Sequence, residues 1–196
     1  MSPEKFNLTF KKESLPHMIE PYQEAANGST QAEFVAEVPY PFLVYVRSKL
    51  WDPLLLMTRQ KGGGTGAETA IVSYDIETGG YSFVSPVRKR QTDPNDTSIY
   101  LGRDTTNDLV VPVNSISGRH CRFIPPTQSG AFWRCIDLGT KNGTYLREER
   151  MAPDHPYDLA SGGYLRLGGN MMAWFLLPER LWEVLRSPTQ LKAMTD

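Results

Sequence analysis

Arg103 follows Gly102 at the end of an apolar run that begins at Ile99, and fifteen residues after that glycine comes Ser117-Gly118-Arg119-His120. Neither feature is needed to build a core. Together they suit a small anion. A guanidinium offers a planar fork of N–H donors that fits oxyanion oxygens. A glycine beside it removes an obstructing side chain, and the Ser117 hydroxyl adds a neutral donor from the next loop. A third loop, from Asp137 to Gly143, contributes Lys141 as a flexible cation and Asn142 as an amide able to donate and accept. Charge-assisted hydrogen bonds of this kind contribute about 1.5–3 kcal/mol each, so the loss of one weakens binding about tenfold or more.

Three loops from distant parts of the chain converge only if a rigid framework holds them. Short apolar and β-branched runs recur from residue 69 onward, at 69–76, 81–87, 98–103, 108–111, 120–124, 132–138, 143–146, 164–167 and 172–177. Turn signals separate them: Gly79-Gly80, Asn107-Asp108, Pro125-Pro126, Asn142-Gly143, Gly162-Gly163 and Gly168-Gly169. Many short strands with no long helix between them predict an all-β antiparallel sandwich. Asn142-Gly143 is expected to close a hairpin, because both residues tolerate positive φ. The segment from Pro178 to Ser187 carries Leu181, Trp182, Val184 and Leu185 as an apolar stripe, which predicts a helix covering one edge or end of the sandwich.

Upstream the pattern is different. Residues 1–40 are mostly polar, without a clear period, and are expected to form a partly helical extension, loosely ordered or draped on the main body. Thr30 and Glu33 form a capping-box pattern that predicts a short helix ended by Pro39. Residues 41–79 are expected to add further strands or a helix packed on the main unit, with a strand near 41–46 and a helix near 52–62. The main unit spans 80–178, and 179–196 form a terminal helix and tail. The glycine-rich stretch 62–66 is not a phosphate loop, because Ala67-Glu68 stand where Lys-Ser/Thr would be required.

Composition bounds the partners. Of 196 residues, 40% are hydrophobic and 22% charged, and the formal net charge is −1. No global basic field exists to hold nucleic acid, so an anion site must be local. The first residues lack the apolar core of a secretory signal, and the longest apolar run, 171–177, is too short to span a bilayer. A cytoplasmic location with no membrane contact is the expectation. Two cysteines, Cys121 and Cys135, are too few for a disulfide framework or a structural zinc site and read as buried small hydrophobes.

The ordered set Gly102-Arg103, Asn107-Asp108, Ser117…His120, Asp137-Leu138-Gly139, Asn142-Gly143-Thr144 and the strand ending at Gly168 resembles the forkhead-associated (FHA) domain, of a bacterial type bearing an N-terminal extension. The likeness covers about residues 80–178. It implies an eleven-stranded sandwich whose loops at one end bind phosphothreonine in a partner, with no cofactor, no metal and no catalysis. By that resemblance the phosphopeptide contacts fall to Arg103, Ser117, Gly118, Arg119, Thr140, Lys141 and Asn142. Gly102, His120 and Gly143 support them, the histidine by tying its loop to a neighbouring one. The partner would be a phosphothreonine protein or peptide, such as a Ser/Thr kinase or its substrate, and the module an adaptor in kinase signalling.

Two departures stand out. Gly118 lacks the side chain that many family members carry there, so that contact is lost or passes to the backbone, and Arg119 compensates only if it points outward. Lys141 stands in place of a frequent Thr. The run Arg88-Lys89-Arg90 reads as a solvated edge. An FHA-like scaffold or oligomerisation module that needs no phosphate is the alternative. An enzyme is disfavoured. His120 and Cys121 are neighbours on a strand and face opposite ways, and a cysteine phosphatase would need Arg where Thr127 or Lys141 stands. His17 and His155 have no metal-ligand spacing.

Overall fold

Half-buried strands show the alternation that builds them. In the strand Cys121–Ile124, Cys121 and Phe123 are buried while Arg122 and Ile124 are partly exposed, and Gly163–Leu167 alternates the same way. The computed structural model describes residues 15–46, 83–90, 93, 95–128, 131–169 and 171–195. The helix expected near 52–62, the glycine-rich stretch and the strand expected at 69–76 lie outside the described residues.

In chain order the elements are β1 (His17–Met18), α1 (Glu20–Asn27), α2 (Gln31–Glu37), β2 (Phe42–Tyr45), β3 (Phe83–Pro86), β4 (Ile99–Gly102), β5 (Leu109–Val110) and β6 (Cys121–Ile124). They continue with β7 (Trp133–Asp137), β8 (Thr144–Leu146), β9 (Glu149–Arg150), β10 (Pro156–Leu159), β11 (Gly163–Leu167), β12 (Met171–Leu176), α3 (Pro178–Leu185) and α4 (Pro188–Thr195). Two sheets form, ordered β1-β3-β2-β12-β11-β8-β9 and β10-β7-β6-β4-β5. Their pairings are antiparallel except β4–β5, which is parallel. The fold is an antiparallel β-sandwich with short helices at both ends of the chain.

The core between the sheets is built from inward positions of both, including Leu101, Phe123 and Cys135 on one side and Leu43, Tyr45, Leu165 and Phe175 on the other. Phe175 lies against both Phe123 and Trp133, with ring centroids 6.3 Å and 5.9 Å apart. Cys121 and Cys135 are both free thiols buried in this core. Hydrogen bonding to Cys135 and burial together push the Cys121 thiol well above its ordinary pKa.

A second core covers the outer face of the larger sheet. Phe42, Val44, Val84 and Leu176 pack beneath Tyr22, Ala25 and Ala26 of α1, Phe34 of α2, and Leu181, Val184 and Leu185 of α3. β2 is therefore buried on both faces, which is why its sequence reads as a continuous apolar run rather than an alternating one. It pairs with β3 on one side and β12 on the other, so a unit drawn at 80–178 omits a strand from the middle of the sheet. The capping box at Thr30 and Glu33 is present, and α2 begins where it predicts.

Two expectations are corrected and one is narrowed. α3 covers a sheet face together with α1 and α2, because its stripe meets apolar residues of β2, β3 and β12 there rather than an edge or end. Of the two readings of residues 1–40, loosely ordered or draped on the main body, residues 15–40 take the second and pack firmly through buried Tyr22, Phe34 and Val38. Asn142-Gly143 does not close a hairpin: β7 and β8, the strands it joins, belong to different sheets, and only Gly143 has positive φ, at 78°.

Candidate functional site

The site residues sit on three connections at one end of the sandwich: β4–β5, β5–β6 and β7–β8. Two consecutive backbone bonds lace the first two loops together. Arg103 N–H donates to the Ser117 carbonyl at 2.9 Å, and Asp104 N–H donates to the Gly118 carbonyl at 3.0 Å. The buried Asn107 amide donates to the carbonyls of Asp104 (2.8 Å) and Gly118 (2.7 Å), which locks the same junction. Gly102 is required by this closeness. A Cβ there would lie 2.2 Å from the Gly118 carbonyl oxygen and 2.9 Å from the Arg119 Cα, both backbone atoms that cannot swing aside.

His120 closes the second loop from inside. Its Nδ1 accepts from the Ser117 N–H at 3.1 Å, which places the imidazole proton on Nε2. Its backbone N–H donates to Leu101, and its carbonyl accepts from Leu138. Burial pushes its pKa down from 6.5 to about 4, with the Asp137 charge and the Gly143 backbone acting in the opposite direction. It is a fixed neutral strut at neutral pH.

The third loop is organised by Asp137. Its Oδ2 accepts from the N–H groups of Gly139 and Thr140, and its Oδ1 accepts from the hydroxyls of Thr140 and Thr144. Burial would raise this carboxyl, but the bonds from Thr144 and Thr140 outweigh it and hold the pKa below the ordinary value. The third loop is tied to the second by the Asn142 amide, which donates to the Ser115 carbonyl at 2.9 Å.

The residues singled out from the sequence divide into two groups. Arg103, Lys141 and Asn142 are exposed and Ser117 is partly exposed. Among the described residues no hydrogen bond or ion pair engages the Arg103 guanidinium, the Ser117 hydroxyl or the Lys141 ammonium, so their donors stay uncommitted. Thr140 differs: it is 7% exposed and donates its hydroxyl proton to Asp137, which corrects its expected place among outward contacts. Arg119 is exposed, but its guanidinium stacks 3.8 Å from the Tyr100 ring centroid. Gly118 offers only backbone, and its carbonyl is already doubly bonded. The basic run 88–90 is anchored rather than merely solvated. Arg88 lies over Tyr40, Lys89 lies 3.6 Å from the Asp108 carboxylate, and Arg90 donates to the Thr105 carbonyl.

Sequence reasoning matched Asp137, Asn107 and Asp108 to a pattern without seeing what they do. Asp108 receives the backbone N–H groups of Arg90 and Tyr100, one on each carboxylate oxygen. The available signal was an acid or amide at or just outside a strand end, where unpaired backbone groups collect.

Residues 99–168, the stretch that supplies every strand and loop of this rim, match the family model of the FHA domain. Over those residues the chain is similar to the FHA domain. A curated relative, the PPP1R8 homolog of Arabidopsis thaliana, described as a protein phosphatase 1 regulatory inhibitor subunit, is 31% identical over 78 residues. That match covers 40% of this chain and 21% of the relative, so the chain spans about a fifth of it. Among solved structures, the MEK1 FHA domain aligns with 19% identity over 76% of this chain and 99% of its own, at a TM-score of 0.43. An FHA domain solved in an analysis of phosphothreonine-dependent interactions aligns with 21% identity over 48% of this chain and 83% of its own, at a TM-score of 0.39. FHA domains are binding modules rather than enzymes, known for recognising phosphothreonine. Among the described residues, no helix is long and apolar enough to cross a membrane.

Proposed function

We propose that this chain binds phosphothreonine in a partner protein through Arg103, Ser117, Lys141 and Asn142, and acts as a reader or adaptor in Ser/Thr kinase signalling. The observation that carries the reading is the group of uncommitted donors on loops that are themselves rigidly laced. A phosphothreonine brings about −1.5 to −2 charges and three acceptor oxygens. The Arg103 fork, the Ser117 hydroxyl and the Lys141 ammonium supply cationic and neutral donors without first breaking an internal bond. Asn142 keeps its carbonyl oxygen available for peptide main chain while its amide nitrogen holds Ser115. Asp137, His120, Asn107 and Gly102 preorganise the loops, which lowers the ordering cost of binding. On this reading the module performs no catalysis.

The test is a titration of the full chain with a phosphothreonine-oriented peptide library and with the same library unphosphorylated. Binding is expected only for the phosphorylated set, and Arg103→Ala is expected to weaken it tenfold or more. Equal binding of both sets would favour a phosphate-independent scaffold instead.

A further inference from the structure

An acidic side chain stands inside this basic rim. The space beside Gly118, which a side chain at that position would fill, is taken by Asp104. A Cβ on Gly118 would lie 2.5 Å from the Asp104 Oδ2, and 3.0 Å from both its Oδ1 and its Cγ. Asp104 is exposed, and among the described residues its carboxylate makes no ion pair and accepts no hydrogen bond. Its backbone N–H bonds the Gly118 carbonyl, one rung along from the Arg103–Ser117 bond. The carboxylate is thus carried by the residues next to the two main donors.

A charge at that position acts on whatever the donors hold. Adjacent residues are about 3.8 Å apart along the chain, and the Debye length at physiological salt is about 8 Å. A phosphate held by Arg103 and Ser117 therefore feels the Asp104 charge with little screening. Arg119, the residue after Gly118, has its guanidinium over the Tyr100 ring, and among the described residues no ion pair reaches Asp104. The repulsion is relieved most simply if the ligand brings its own positive charge to the carboxylate. Resting on the phosphothreonine reading above, we infer that Asp104 is a specificity-determining residue that selects partners carrying a lysine or arginine beside the phosphothreonine and rejects those carrying an acid there.

The experiment uses the full chain and phosphothreonine peptides of one neutral background, with a single Lys or a single Asp scanned through the flanking positions. At one of these positions the Lys peptide is expected to bind about three- to tenfold more tightly than the Asp peptide, and added salt should narrow the gap. Asp104→Asn should largely remove the preference, and Asp104→Lys should reverse it. Equal affinities across the scan, or a preference that persists unchanged in Asp104→Asn, would overturn the inference while leaving phosphothreonine binding intact. Failure of every phosphorylated peptide to exceed its unphosphorylated counterpart would overturn both.

Discussion

Asp137 and His120 show how a buried polar pair can serve a site without touching a ligand. The carboxylate is 2% exposed and survives as an anion because four donors reach it. The imidazole is fully buried and survives as a neutral ring. Its lowered pKa has a definite consequence for stability. Between about pH 6.5 and pH 4 the unfolded chain takes up a proton on this histidine that the folded chain refuses, so unfolding is favoured as pH falls. The contribution is fully present above pH 6.5 and amounts to roughly 3 kcal/mol once lost. Urea denaturation across that window should show the decline, and His120→Gln should flatten it. An NMR titration should find the ring neutral down to about pH 4.

At this scale the sequence was informative about which residue types converge and silent on their bonding. Arg103, Ser117, Lys141 and Asn142 stood out by residue type and by their place after strand ends, and what they bind is the proposal above. Thr140 was misread because a threonine in a loop looks the same whether its hydroxyl faces water or a buried aspartate. Nothing in the sequence of Asp104 and Gly118 reveals that one fills the space left by the other.

Among the elements, the β8–β9 hairpin is the least expected. Leu146 pairs with Glu149, leaving Arg147 and Glu148 as a two-residue turn with φ of 50° and 67°. Such turns favour Asn-Gly, and side chains with a Cβ adopt positive φ at a cost of about 1 kcal/mol each. The sequence gives no turn signal there, so β9 went unseen. Glu148 offsets its strain through an ion pair with Arg166 at 3.1 Å, and Arg166 in turn lies over Tyr145. Among the described residues Arg147 has no such tie beyond its backbone bond to Tyr164. Arg147→Gly is therefore expected to stabilise the chain by about 0.5–1 kcal/mol, read as a higher melting temperature with the pair at Glu148 intact. α1 was missed for another reason. Its buried stripe is Tyr22, Ala25 and Ala26, and two alanines barely register as a hydrophobic period.

At the scale of the molecule, the sandwich and its helices are one construction. The larger sheet needs β2 between β3 and β12, and its outer face needs α1, α2 and α3 over Phe42, Val44, Val84 and Leu176. A fragment of residues 80–178 would lose that strand and expose much of that face. We expect it to aggregate or to give a poorly dispersed amide spectrum, whereas the chain from residue 15 onward should give a dispersed one. The general sandwich class and most of its strands were readable from turn spacing and alternation, whereas the order of strands within the sheets was not. The strand near 41–46 and the capped helix at Thr30 were legible too, but not that the strand sits in the middle of the larger sheet or that α1 exists, because a strand buried on both faces does not declare its neighbours and a helix built on alanine leaves no distinctive period.

The paired thiols of β6 and β7 carry a practical consequence. Alkylating reagents and oxidants attack thiolates, and Cys121 is kept protonated and out of reach while those strands remain side by side. Beyond Cys121 and Cys135 the chain has no cysteine to confuse the signal. Its rate of modification is thus a built-in clock for the opening of the sandwich, ticking only when the smaller sheet comes apart.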